Sequence, residues 1–362
     1  MKHSLSILFA LAMSVTMWAE TIPANDARVV YVGRTQVNNN GVSFNWTATY
    51  LRISFTGKQL SVNLTDDVCR NFFNVIVDRE ISAEPDQVIS VGKDTTIVLC
   101  SFKKKGPHTV ILQKRTEGEQ GTTTIKSFST DGVFTQAQPI KPRMLEFIGD
   151  SYTCGYGTEN SVKNDPFKAE TESSAKTYAA IVSRYFDADY ISVSHSGFGI
   201  ARNYNSKFPE SCMPVRYRNT FDRDTVDAPW DAKAYDFRPA MTIIYLGAND
   251  FSCSLQPHYA TFKQHYMTLI QEIKANYGEN HPILCMTTKK HEYLGEYVHR
   301  IVNECGLKNI NYLTFCPALH NDDNELGASY HPNYVAHRKI AHSVIPYIST
   351  ITGWDLQDKP IK

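Results

Sequence analysis

From Met144 onward the sequence alternates between short apolar runs and helical stretches, and that rhythm leaves few folds open. The runs Met144–Ile148, Tyr190–Ser194, Met241–Leu246, Ile283–Thr287 and Asn311–Phe315 are separated by helical stretches such as Lys176–Phe186, Tyr259–Tyr277 and Tyr293–Cys305. Strands this apolar bury both faces, which a parallel sheet covered by helices on each side provides. The spacing predicts a doubly wound α/β/α domain of three layers with a five-stranded parallel sheet, closed by a last helix over about Asn333–Thr350.

Before the segment Ala137-Gln138-Pro139-Ile140-Lys141-Pro142 the pattern is different. Strand-like runs Ala27–Val32, Tyr50–Phe55, Gln59–Asn63, Phe72–Val77, Thr96–Leu99 and His108–Gln113 follow one another with no helical period. Turn signals stand between them: Asn38-Asn39-Asn40-Gly41, Thr56-Gly57-Lys58, Lys105-Gly106-Pro107 and Asp131-Gly132. Such spacing predicts an all-β sandwich. The expected division is a leader over 1–19, a β-sandwich over 20–138 and an α/β domain over 139–362.

The leader reads as an export signal. Lys2 and His3 precede the apolar run Leu5–Val15, and Ala19 supplies a small residue for cleavage, although Met17 is larger than the usual preference. The run is too short to span a bilayer, no later segment is apolar enough to do so, and no cysteine stands near its end for a lipid anchor. A secreted or periplasmic protein without a membrane anchor is expected. The formal net charge is +0 and the pI about 7.2, so no basic field exists to draw in nucleic acid. Eight cysteines show no CxxC spacing, and the His291-Glu292 start of a metal helix fails because Gly295 stands where the second histidine belongs. Neither a metal nor a cofactor is expected.

Four polar pieces stand at or near the ends of predicted elements: Gly149-Asp150-Ser151, the stretch Ser194–Gly199, Gly247-Ala248-Asn249-Asp250, and Ser329-Tyr330-His331-Pro332-Asn333. In open α/β sheets active sites collect beyond the carboxyl ends of the strands. There Ser151 is placed to attack an ester carbonyl, with His331 as general base and then acid. The N–H groups of Ser151 and Gly197 and the side-chain amide of Asn249 are candidate oxyanion donors, with Gly199 the alternative to Gly197. Cys154, with no basic residue beside it in sequence, reads as a buried thiol. Trp230 reads as core or inter-domain packing, and Asp150 as a brace for the turn.

This order of blocks resembles the SGNH (GDSL-type) hydrolases. The wording GDSYTCGYG, SHSGFGIARNY, the Trp230-Asp231 stretch before YLGANDFS, and YHPN is similar to carbohydrate esterase family two. That resemblance implies an N-terminal β jelly roll joined to an SGNH domain, and an exported esterase that removes acetyl groups from plant polysaccharides such as xylan and glucomannan. Many SGNH enzymes carry an acid two residues before the histidine, and here that position is Ser329. A Ser–His dyad is therefore expected, with a main-chain carbonyl near Ser329 orienting His331; Asp322, Asp323 and Glu325 are the acids that offer an alternative. Tyr152 and Tyr330 either stack on a sugar ring or pack under the loop, and Arg202 and Asn203 either line the sugar cleft or make ordinary hydrogen bonds within their own loop. The competing readings are an esterase or lipase for non-carbohydrate esters, and a carbohydrate-binding protein with a vestigial site. The sequence leaves the oligomeric state open.

Overall fold

The computed structural model describes residues 19–206, 211–226, 228–235, 237–253, 255–288, 292–315 and 323–362, with the backbone alone for Glu292 and Asp323. Residues Met1–Trp18 of the expected leader, the His291 position, Cys316 and the candidate acid Asp322 lie outside them.

The N-terminal half is an antiparallel ladder of ten strands. Two of its strands are much longer than the sequence pattern implies, Tyr50–Asp66 and Thr95–Lys114. The sequence reading places turns at Thr56-Gly57-Lys58 and at Lys105-Gly106-Pro107, and the structure corrects both. These segments face each other in one ladder, Thr56 opposite Pro107 and Gly57 opposite Gly106, with a register shift between Gly57 and Gln59. Two sets of breakers in register let both strands deform together without ending either. The Asn38–Gly41 turn is a tight hairpin, in which Asn38 pairs with Gly41. The expected strand from Ala27 is confined to Val30–Val32.

The C-terminal half holds the parallel sheet. Its strands Met144–Gly149, Asp189–Ser194, Met241–Tyr245, Ile283–Thr288 and Ile310–Phe315 run in the order second, first, third, fourth, fifth. The first three are buried at every position, as two-sided coverage requires. Helices Tyr178–Phe186 and Tyr334–Thr352 pack together, and helices Tyr259–Tyr277 and Glu292–Glu304 form the other pair. The strand order reverses beside the first strand, which is where a doubly wound sheet opens a crevice.

The two halves share buried structure. Val32, Tyr50, Ile76 and Ile111 belong to the same apolar cluster as Phe147, Tyr178 and Tyr190. Arg52 pairs with the Asp189 carboxylate, Nη1 to Oδ2 at 2.9 Å. Arg34 donates to the Asn219 carbonyl at 2.8 Å and lies 3.8 Å over the ring of buried Trp230. Trp230 therefore packs at the seam between the halves.

Candidate active site

Strand Met144–Gly149 stops because Asp150 caps the four-residue helix Ser151–Cys154, its Oδ1 accepting the Tyr152 N–H at 3.2 Å. Gly149 is needed for closeness, since a Cβ there would lie 2.0 Å from Thr153 Oγ1. The Ser151 side chain is thereby held at the strand's end, 7% exposed, and its N–H has no acceptor among the described residues. Burial pushes the Asp150 carboxyl up to about 7. The buried Cys154 thiol is pushed up as well, first by burial and then by Glu117.

His331 meets this serine directly. Its Nε2 lies 2.9 Å from Ser151 Oγ and its Nδ1 3.0 Å from the Ser329 carbonyl oxygen. The carbonyl can only accept, so Nδ1 carries the proton and Nε2 is free to take one from the hydroxyl. The carbonyl is aimed by an unusual backbone: Ser329 and Tyr330 are both left-handed, at φ +51° and +60°. That conformation costs about 1–3 kcal/mol per residue and needs external support. The support comes from the segment 163–165: the Ser329 N–H donates to the Asp165 carbonyl at 2.9 Å and the Tyr330 N–H to the Lys163 carbonyl at 3.0 Å. Of the candidate acids, Glu325 pairs with Lys339 on the last helix.

Aromatic rings close around the imidazole. Tyr156 stacks on it with centroids 4.1 Å apart and planes 28° apart, and Phe167 backs Tyr156 at 4.4 Å. Tyr152 meets His331 edge-on at 5.6 Å. Sequence reasoning passed over Tyr156, although the signal was there. It stands between Gly155 and Gly157, both of positive φ, and a Cβ on Gly157 would lie 2.7 Å from that of Ala328.

The turn after the second strand offers Gly197 at φ +79°, whose N–H has no acceptor among the described residues. The neighbouring Gly199 N–H is taken by Asn203 Oδ1 at 3.2 Å, which separates the two glycines. Asn249 Nδ2 donates to the Phe198 carbonyl at 2.8 Å and approaches Asp150 Oδ2 at 3.3 Å. Asp250, which the sequence reading assigned no role, accepts the N–H groups of Ile200, Ala201 and Arg202 at 2.8, 2.7 and 2.9 Å. It thereby organises the whole loop after Gly199.

Ser151, His331 and Asn249 border a cavity of about 260 Å³ that Tyr152, Tyr204 and Tyr330, among others, also line; Gly197 is not among its lining residues. Tyr204 and Tyr330 stand at its mouth, 65% and 55% exposed. Arg202 and Asn203 are not among its lining residues. Asn203 Nδ2 donates to the Ser211 carbonyl at 3.1 Å and Arg202 to the Asp250 carbonyl, so both hold the loop rather than face the cavity.

Comparison with known proteins meets this geometry from another side. Residues 31–139 match the carbohydrate esterase 2 N-terminal family, and residues 145–344 match the GDSL-like lipase/acylhydrolase family. The chain is 30% identical to the cellulase/esterase CelE of Acetivibrio thermocellus over 345 residues, which cover 93% of this chain and 41% of that protein's length. It is 27% identical to an acetylxylan esterase/glucomannan deacetylase of Cellvibrio japonicus, covering 86% of each. Among solved structures, a family two carbohydrate esterase from Clostridium thermocellum in complex with cellohexaose is 29% identical. It superposes with a TM-score of 0.80 over 90% of this chain and 100% of that one.

Proposed function

The chain belongs to the GDSL-like lipase/acylhydrolase family, as an esterase with a carbohydrate esterase 2 N-terminal domain, and we propose that it is an exported enzyme removing acetyl groups from polysaccharides such as xylan and glucomannan. The observation that carries the mechanism is the position of His331, between the Ser151 hydroxyl at 2.9 Å and the Ser329 carbonyl at 3.0 Å.

In this mechanism Ser151 Oγ attacks the acetyl carbonyl while its proton passes to His331 Nε2. The Ser329 carbonyl holds the other ring proton, so the imidazolium cannot turn away. Negative charge developing on the carbonyl oxygen meets the N–H groups of Ser151 and Gly197 and the Asn249 amide, whose longer contact to Asp150 yields to the stronger acceptor. His331 returns the proton to the sugar oxygen as it leaves. Water, deprotonated by the same nitrogen, then releases acetate from the acetylated serine. A cavity of about 260 Å³ suits a small acyl group, and the exposed rings of Tyr204 and Tyr330 at its mouth suit the apolar faces of pyranoses.

Acid-quenched reaction with 4-nitrophenyl acetate, followed by peptide mass spectrometry, tests the covalent step. An acetyl group on the peptide containing Ser151 is expected; turnover by Ser151→Ala at the wild-type rate would contradict it.

A further inference from the structure

The β-sandwich reaches the catalytic centre with one side chain. Glu117, buried just beyond strand Thr95–Lys114, accepts the Ser196 N–H on its Oε2 at 2.6 Å. Ser196 immediately precedes Gly197. The same oxygen accepts the Cys154 thiol at 3.5 Å, and Cys154 ends the short helix that begins at Ser151. One carboxylate of the β half therefore touches both the turn that carries Gly197 and the helix that carries the nucleophile.

Its seat is rigid. Buried Lys114 donates from Nζ to the carbonyls of Thr116 and Glu117 at 2.7 and 2.9 Å, fixing the backbone on which Glu117 stands. Gly118 lies so close to Asp222 that a Cβ would fall 2.4 Å from Asp222 Oδ2. Asp222 in turn takes His195 Nδ1 at 2.6 Å, and its own N–H is held by Asn45 Oδ1 of the β half at 2.8 Å. Both residues before Gly197 are thus tied to the β half, His195 through Asp222 and Ser196 through Glu117.

We propose that Glu117 is a positioning residue for ester hydrolysis: by holding Ser196 it keeps the Gly197 N–H aimed at the reacting carbonyl, which makes the β-sandwich a fixed part of the catalytic centre. The inference rests on the reading of Gly197 as an oxyanion donor. Glu172 offers a built-in control. Its carboxyl is fully buried within 4.8 Å of the Glu117 carboxylate and the Cys154 sulfur, and neither of its oxygens has a hydrogen-bond partner among the described residues. Burial, then the Glu117 carboxylate, hold it well above the usual carboxylate range.

The test compares 4-nitrophenyl acetate hydrolysis, and the rate at which a 4-nitrophenyl phosphonate labels Ser151, across variants. Glu117→Ala is expected to lower kcat by about 10- to 100-fold with KM within about twofold, and to slow phosphonylation in parallel, as small misplacements of catalytic groups do. Glu117→Gln keeps an oxygen for the Ser196 N–H and restores most of the rate, while Glu172→Gln stays near wild type. Gly118→Ala, which displaces Asp222, covers the case in which Glu117→Ala does not fold. Wild-type kcat in folded Glu117→Ala or Gly118→Ala overturns the inference. Ser151→Ala and Asn249→Ala, measured alongside, separate that failure from a failure of the site itself: wild-type rates in both would place the chemistry elsewhere.

Discussion

His331 Nδ1 lies 3.0 Å from the carbonyl oxygen of Ser329, two residues before it in the chain. A peptide carbonyl fixes the ring's tautomer and plane as a carboxylate does, but it brings a dipole rather than a charge to the imidazolium. The partner is also local: the loop that carries the base carries its orienter.

Because the orienting group is backbone, the Ser329 side chain is dispensable. Ser329→Ala is expected to keep kcat on 4-nitrophenyl acetate within about threefold of wild type. Ser329→Val puts a β-branched residue at φ +51°, and is expected to lower stability by about 1–2 kcal/mol in urea unfolding.

The loop acids separate a dyad from a triad. His331→Ala is expected to lose at least about 10³-fold in kcat. Asp322→Ala, Asp323→Ala and Glu325→Ala are each expected to remain near wild type. A loss equal to that of His331→Ala in any of the three would establish an acid as the third member.

Tyr156 stacks on the same imidazole at 4.1 Å and favours its cationic form. Tyr156→Phe keeps the ring and is expected to retain activity. Tyr156→Leu is expected to lower kcat by about 3- to 30-fold, in keeping with a contact worth about 0.5–2 kcal/mol.

The buried His195–Asp222 pair gives stability its own pH window. Burial alone would push His195 down, but the Asp222 carboxylate overrides it and the pKa is raised; burial alone would raise Asp222, but His195 and Arg216 hold it low. The histidine's contribution is complete below its ordinary value of 6.5 and fades as pH climbs through the raised one. The aspartate's is complete above 3.8 and is lost as pH falls through the lowered one. The Tm difference between wild type and His195→Gln should therefore be widest between these values and narrow in alkaline buffer.

Tyr204 and Tyr330 stand at the mouth and not at the reacting atoms. Tyr330→Ala and Tyr204→Ala are expected to raise KM for acetylated polymer several-fold while leaving 4-nitrophenyl acetate turnover nearly unchanged.

Much of this was legible in the residues. The five parallel strands and the helix Tyr259–Tyr277 follow from patterning, because burial on two faces or one leaves a period that sequence records. Ser151, Gly197 and Asn249 were marked by their place after strand ends and His331 by its place before the last helix, and the structure brings Ser151 and His331 into contact, with Asn249 beside them on the same cavity. Missed features depend on what lies opposite. Gly57 and Gly106 read as turns until each is seen facing the other across a ladder. The part that Arg202 and Asn203 play in their loop shows only once Asp250, 48 and 47 positions further on, is seen organising it. Glu117 carries no local signal at all, since its partner Ser196 is 79 residues away.

The most direct test of the whole account is acetate release from acetylated xylan and acetylated glucomannan, wild type beside Ser151→Ala. Release by the wild type that disappears in the mutant is the expected result. Release that survives loss of the Ser151 hydroxyl, or none from either polymer while 4-nitrophenyl acetate is still cleaved, would contradict it.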